Sequence, residues 1–332
     1  MLAFLLRAAV LVVLAVLCIG LGGCAGAGGA VGHWAEVEPG RFHMRSLPGA
    51  HGQPLWALYR SERVAPLRYR VIVIPGSGCA GMGPWAERYF AGLLHAQVLV
   101  LHKPGVHPDS RTAPGDCPAD FVQADALGAW RDHARAALRA DAALHTAGPQ
   151  VPQVLIGISE GAELLPALAP EVAPLAGLVL IGSSGLDPLE AGTLQAQQQG
   201  AYALAPWQAL GRAQAGAWPD GHVLQGRSLR YWRDLWQWPV QEALLAGPWP
   251  LLQVWGEGDA LVPASAYARF AVRAQGRVAP YCPRPLAGAD HGLQGPQGPD
   301  GQSGKDGVQQ VWGWLQAWGR APQKGLCAAL GP

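Results

Sequence analysis

Val154-Leu155-Ile156-Gly157-Ile158-Ser159-Glu160-Gly161-Ala162-Glu163-Leu164-Leu165 is the stretch on which the reading of the fold turns. Val154–Ile156 is a short aliphatic run suited to a buried strand, and Ala162–Leu168 has the composition of a helix. Between them, Gly157 and Gly161 bracket Ser159 in a G-x-S-x-G spacing. A strand that passes straight into a helix through so tight a turn has no room for side chains at the flanking positions. Glycine supplies that room, and the turn lifts the serine hydroxyl to the carboxyl edge of the sheet.

Working outward, the same rhythm recurs on both sides. Phe42–Ser46 and Gln53–Tyr59 flank Pro48-Gly49 and read as an opening hairpin. Val71–Ile74, Val98–Leu101, Leu178–Ile181, Leu251–Val254 and roughly Pro280–Leu286 read as further strands. Helical patterns fall at Trp85–His95, around Asp120–Arg139, at Ser265–Ala274 and at Val308–Trp318. Alternating buried strands and helices predict an α/β domain, residues 37–332, with a mostly parallel central sheet flanked by helices. The alternation breaks at about 186–247, which holds Trp207, Trp218, Trp232, Trp236 and Trp238. An insertion there caps the carboxyl edge, where open α/β sheets bind ligands, and at least two of these indoles are expected to line a pocket. Glycine at every third position from Gly292 to Gly307 is too short a run for a triple helix and reads as a loop.

The N-terminus carries Arg7 and then an apolar run from Ala8 to about Leu21, the proportions of a secretory signal rather than of a membrane span. Leu21-Gly22-Gly23-Cys24 resembles the lipobox of bacterial lipoproteins. That resemblance implies a signal peptide at 1–23, lipidation of Cys24, a tether at 24–36 and a body anchored on a membrane of the bacterial envelope. Export leaves Cys79, Cys117, Cys282 and Cys327 in the body, an even number that suggests two disulfides. Cys79 follows a strand's carboxyl end and Cys117 precedes a helix, so both belong at the top of the sheet. Cys282 begins the last strand at the bottom, and a final helix descending roughly as far as that strand climbs returns Cys327 to the same level. The expected pairs are Cys79–Cys117 and Cys282–Cys327.

Serine at its ordinary pKa is a poor nucleophile and needs a base, oriented in turn by an acid. After the late strand Leu251–Val254 comes Gly256-Glu257-Gly258-Asp259, followed by Val262-Pro263; after the last strand comes Ala289-Asp290-His291-Gly292. In their order of nucleophile, acid and base, and in their strand context, these motifs resemble the α/β-hydrolases over most of the chain. The resemblance implies a Ser159, His291 and Asp259 triad. It also implies an oxyanion hole built from the Glu160 backbone N–H and a second donor in Pro75-Gly76-Ser77-Gly78, either Ser77 or Gly78. Pro75 departs from the histidine usual there, which sets the chain apart from the lipase-type subgroup. Asp187, after the strand Leu178–Ile181, competes with Asp259 for the role of the acid. The Glu160 side chain is given no part in proton transfer, and Lys103 reads as a solvated surface lysine.

A formal net charge of +1 leaves no electrostatic footprint for nucleic acid. No phosphate loop, dinucleotide fingerprint or metal-ligand spacing is present, so neither cofactor nor metal is expected. The resulting expectation is a serine hydrolase that cleaves carboxylic esters through an acyl-enzyme, acting on a small hydrophobic ester. A peptidase of the same fold and a catalytically silent envelope binding protein are the rivals.

Overall fold

The computed structural model describes residues 38–113, 115–145, 150–296, 304 and 306–328. The expected signal peptide, Cys24, the tether and half of the 292–307 loop, residues 297–303 and 305, lie outside the described residues. Eight strands form one sheet: β1 (His43–Pro48), β2 (Pro54–Arg60), β3 (Tyr69–Ile74), β4 (Ala96–Leu101), β5 (Gln153–Ile158), β6 (Leu175–Ile181), β9 (Leu251–Gly256) and β10 (Tyr281–Leu286). Their order is β1-β2-β4-β3-β5-β6-β9-β10. β2 pairs antiparallel with both β1 and β4, while β4 through β10 run parallel. β7 (Val223–Leu224) and β8 (Arg227–Ser228) make a separate two-stranded ribbon.

The central strands are apolar at successive positions because both faces are covered. Ile72, Ile74 and Leu155 face a core closed by the helices Leu127–Leu144 and Ala264–Ala274. Val71, Val73, Val154 and Ile156 face the other core, closed by Gly83–Tyr89 and Gly307–Gly319. Trp312 and Trp318 of the last helix are fully buried there. That helix begins where Asp306 Oδ1 accepts the N–H groups of Val308 at 3.0 Å and Gln309 at 3.2 Å, an N-cap that satisfies two otherwise orphaned donors.

Two helices differ from the sequence reading. The first ends at Tyr89 rather than His95, and the chain turns so that the Gly92 N–H reaches Gln309 Oε1 at 2.9 Å. The stretch read around Asp120–Arg139 is two helices, Ala119–Ala124 and Leu127–Leu144, because Asp125 and Ala126 are extended. The break turns the Asp125 carboxylate inward to a buried cation, a tertiary demand that periodicity does not reveal.

Between β6 and β9 the chain forms the helices Pro188–Gln199, Ala201–Ala215, Leu229–Trp236 and Gln241–Ala246 together with the β7–β8 ribbon. These elements, referred to below as the cap, occupy the stretch 186–247 in which the sequence alternation breaks. Disulfides join Cys79 to Cys117 and Cys282 to Cys327, with Cα separations of 5.7 Å and 5.6 Å, the two expected pairs.

The glycines of the Ser159 turn are held by packing. A Cβ on Gly157 would lie 2.3 Å from Ala162 Cα, and one on Gly161 would lie 2.2 Å from the carbonyl oxygens of Ile74 and Pro75. Gly313, on the last helix, meets nothing within 4 Å. Gly161→Ala is therefore expected to destabilise the protein by at least about 1–3 kcal/mol through overpacking. Gly313→Ala should stabilise it by roughly 0.5–1 kcal/mol. Urea denaturation followed by tryptophan fluorescence measures both, and a neutral Gly161→Ala would contradict the packing argument.

Candidate active site

Every residue singled out for chemistry lies beyond the carboxyl end of a parallel strand. The Pro75–Gly81 loop follows β3, Lys103 follows β4, Ser159 follows β5, Asp259 follows β9 and His291 follows β10. Ser159 has φ +51°, a left-handed conformation that a non-glycine residue adopts only when its surroundings impose it. The chain then winds through a 3-10 turn, Ser159–Leu164, into the helical turn Leu165–Leu168.

Ser159, His291 and Asp259 are brought into one hydrogen-bonded line. His291 Nδ1 donates to Asp259 Oδ2 at 2.8 Å, which leaves Nε2 to accept the Ser159 hydroxyl at 3.1 Å. The Asp259 side chain is 1% exposed and that of His291 is 23% exposed, so the acid is sheltered while the imidazole is partly open to solvent. Four donors converge on the Asp259 carboxylate. Oδ1 accepts the N–H groups of Leu261 at 2.8 Å and Val262 at 2.9 Å; Oδ2 accepts the Tyr267 hydroxyl at 3.0 Å as well as His291. Burial alone would raise this carboxyl, but the hydrogen bonds from His291, Val262 and Leu261 and the attraction of the imidazole outweigh it, so its pKa is lowered.

Tyr267 was not singled out in the sequence. It sits on the helix after the Asp259 loop, stacked on Trp255 with ring centroids 4.7 Å apart. An isolated tyrosine in a helical pattern reads as core, and no spacing rule would have flagged it. Asp187 has a different task. Its Oδ1 accepts the N–H groups of Val240 at 2.7 Å and Gln241 at 2.9 Å, tying the start of the cap to its last helix.

The Ser77 loop passes close to Ser159. A Cβ on Gly76 would stand 3.5 Å from Ser159 Cβ, and Ser77, Ser159 and Glu160 share the wall of one cavity. Gly78 adopts φ +95° and turns the chain towards Cys79, whose disulfide fastens the loop to the segment before the helix Ala119–Ala124. Beyond the disulfide, the Met82 N–H donates to His102 Nε2 at 3.0 Å. Burial pushes the His102 ring down to about 4, so it is neutral and able to accept.

Lys103 is not at the surface. Its ammonium is buried and donates to Asp125 Oδ1 at 3.0 Å and to both Glu160 oxygens at 3.1 Å, while standing 4.6 Å from the centre of the Trp130 ring. Arg227 of the cap pairs with the other oxygen of Asp125. A short polar sequence after a strand gives no sign of burial, since its two counter-ions come from positions 22 and 57 residues away. The Glu160 carboxylate is therefore engaged by Lys103, while its backbone continues the turn from Ser159.

The cavity beside Ser159 has a volume of about 650 Å³ and is walled largely by the cap. Of the five cap tryptophans, Trp207 and Trp232 line it. Trp236 stacks on Trp207 at 4.5 Å, and the Trp238 N–H donates to the Glu163 carbonyl at 2.9 Å. Trp218 lies at the surface against His222. Gln195, Gln199, Gln225 and Arg227 share the wall with the indoles, so it is polar as well as apolar.

The strand order, with β2 alone reversed and the Ser159 turn after β5, decides the architecture. The chain has the α/β-hydrolase fold. No protein-family model and no curated protein sequence matches it. Among solved structures it is similar to an esterase domain from Rhodothermus marinus at TM-score 0.52 and 18% identity, covering 84% of this chain and 98% of that one. It is similar to an esterase from Pyrobaculum calidifontis at TM-score 0.54 and 17% identity, covering 84% and 85%. A puromycin-hydrolysing peptidase from Mycobacterium tuberculosis matches at TM-score 0.55 and 17% identity, over 88% of this chain. The chain spans less than half of that peptidase, 42% of its length. At these identities the likeness is one of fold.

No group of three or more His, Cys, Asp or Glu side chains suited to hold a metal ion occurs among the described residues. Replacing Lys103 with Met would leave Asp125 and Glu160 charged and buried without their shared cation. The expected cost is about 3–5 kcal/mol of stability, read from the urea midpoint. A loss below about 1 kcal/mol would mean that the carboxylates are satisfied otherwise.

Proposed function

We propose that this protein is a serine hydrolase that cleaves carboxylic esters through an acyl-enzyme, with Ser159 as nucleophile, His291 as general base and Asp259 as its orienting acid. The observation that carries this reading is the unbroken Ser159–His291–Asp259 hydrogen-bond line at 3.1 Å and 2.8 Å, with the serine at φ +51°. The esterases among the structural neighbours support it at the level of hydrolysis.

The chemistry follows from the geometry. Ser159 Oγ attacks the substrate carbonyl carbon as His291 Nε2 takes its proton, and Asp259 stabilises the imidazolium that forms. The carbonyl oxygen gains negative charge and is met by the backbone N–H groups of Glu160 and Ser77. Ser77 is preferred to Gly78 as second donor because it shares the cavity wall with Ser159. Collapse of the tetrahedral species expels the alcohol, which takes its proton from His291. Water, activated in the same way, then releases the acid and restores Ser159. The indoles of Trp207 and Trp232 supply the apolar surface for the substrate's hydrocarbon part.

Amide hydrolysis is the second reading, favoured by the peptidase among the neighbours. Matched ester and peptide substrates separate the two. Fluorophosphonate labelling separates either enzyme from a silent binding protein.

We infer further that Cys24 carries a lipid that holds the body on the bacterial envelope, a reading that rests on Arg7, the apolar run and Leu21–Cys24. The mature protein should partition into detergent, and Cys24→Ser should leave it soluble or unprocessed; a soluble mature form starting elsewhere would overturn this.

Ser159→Ala should lower hydrolysis by on the order of 10³-fold or more while the fold survives. Circular dichroism and turnover on the same preparation check both halves. Asp259→Asn should lower kcat by several orders of magnitude because His291 then favours the wrong tautomer. Asp187→Asn should cost less than about tenfold, since Asp187 bonds only to cap backbone. The reverse ranking in steady-state kinetics would move the acid to Asp187.

A further inference from the structure

One acid in the wall of the Ser159 cavity has a carboxyl oxygen without a partner among the described residues. Glu163 lies four residues beyond Ser159 on the same 3-10 turn and lines the same cavity. The neighbouring acids are accounted for. Glu160 is held by Lys103, Asp187 by the N–H groups of Val240 and Gln241, and Asp125 by Lys103 and Arg227. Glu163 Oε2 is closed off from solvent and receives no hydrogen bond. The one indole N–H that reaches this residue, from Trp238, goes to its backbone carbonyl instead.

The surroundings indicate what would complete it. Burial foremost, and then the negative charges of Glu160 and Asp187, push the Glu163 carboxyl well above the usual carboxylate range. The two nearby cations are committed, Lys103 to Glu160 and Asp125, Arg227 to Asp125. A buried acid in a negative field is stabilised by a ligand that brings positive charge and N–H donors together. A neutral hydroxyl would bring the donor without the charge, and an anion would meet three carboxyl groups.

We propose that Glu163 receives an ammonium group on the acyl part of the substrate, in the same cavity as the bond that Ser159 breaks. This subsite rests on the hydrolase reading of Ser159. The ammonium donates to the Glu163 carboxylate, whose proton is given up to solvent as the cation enters. The hydrocarbon chain between ammonium and carbonyl lies along the cavity against Trp207 and Trp232. The preferred substrates are thus aminoacyl esters with a short alkyl spacer rather than simple fatty esters.

The test compares phenyl 6-aminohexanoate with phenyl heptanoate, which places a methyl where the ammonium stands. A charge-assisted hydrogen bond of ordinary strength is worth about tenfold or more. The wild-type protein should favour the amino ester by at least that factor in kcat/KM, and Glu163→Gln should bring the ratio to near one or below. A calorimetric titration with hexylammonium and with hexan-1-ol needs no turnover. The wild-type protein should bind the cation at least about tenfold more tightly, and Glu163→Gln should abolish the difference. If heptanoate is cleaved as fast as the amino ester and hexylammonium binds no better than hexanol, the subsite is overturned and the hydrolase reading stands. If neither ester is cleaved and fluorophosphonate leaves Ser159 unlabelled, the hydrolase reading falls, and the titration still decides whether Glu163 takes a cation. Should Glu163→Gln fail to fold, the two wild-type comparisons decide the matter.

Discussion

The contact between Gly161 and the backbone of Ile74 and Pro75 holds the rest of the site in place. It lets the turn after β5 nest against the loop after β3. Only in that arrangement does Ser159, at φ +51°, stand beside Ser77, with Glu160 next in the turn. A left-handed serine costs about 1–3 kcal/mol. That cost is offset by the hydrogen-bonded sheet on one side and by Ala162, Leu164 and Leu165 packed into the core on the other. Ser159 and the loop that carries Ser77 are thus positioned by main-chain packing.

A second layer is electrostatic. Lys103 gathers Asp125 and Glu160 in a buried cluster to which the cap adds Arg227 and Tyr231, the latter with its ring 5.8 Å from the ammonium. The formal charges of Lys103, Arg227, Asp125 and Glu160 cancel, which is what allows so many ionised groups to stay out of water. The cluster joins the cap to the residue after the nucleophile. It also explains the interruption between the helices Ala119–Ala124 and Leu127–Leu144, since an unbroken helix would carry Asp125 past Lys103.

The cap builds most of the wall of an open cavity over the sheet edge and gives it a mixed lining. Trp207 and Trp232 supply flat apolar area, and the glutamines with Arg227 supply polar contacts. Asp187, at the start of the cap, bonds the backbone of the cap's last helix, so the insertion closes on itself. Glu163 adds a carboxyl oxygen to that wall which receives no hydrogen bond among the described residues.

Strand by strand, the fold was legible in the sequence because aliphatic runs such as Val71–Ile74 and Val154–Ile156 are buried on both faces and admit few other readings. The Ser159 turn, the Asp259 and His291 loops and both cysteine pairs were legible too, since each depends on local spacing or on which end of a strand a residue occupies. Lys103 and Tyr267 were not. One looked like a solvated lysine and the other like core, because burial and partners for a lone polar side chain come from residues far along the chain. The limits of the first two helices were missed for the same reason, as Asp125 obeys a counter-ion and Gly92 obeys Gln309. By itself, then, the sequence determined the alternation of elements and the turn that presents Ser159, both set by local sterics and hydrophobic period. The tertiary structure alone decided which charges are buried together, how Asp259 is held by four donors and which carboxyl oxygen is left without a partner among the described residues, because those are outcomes of long-range packing.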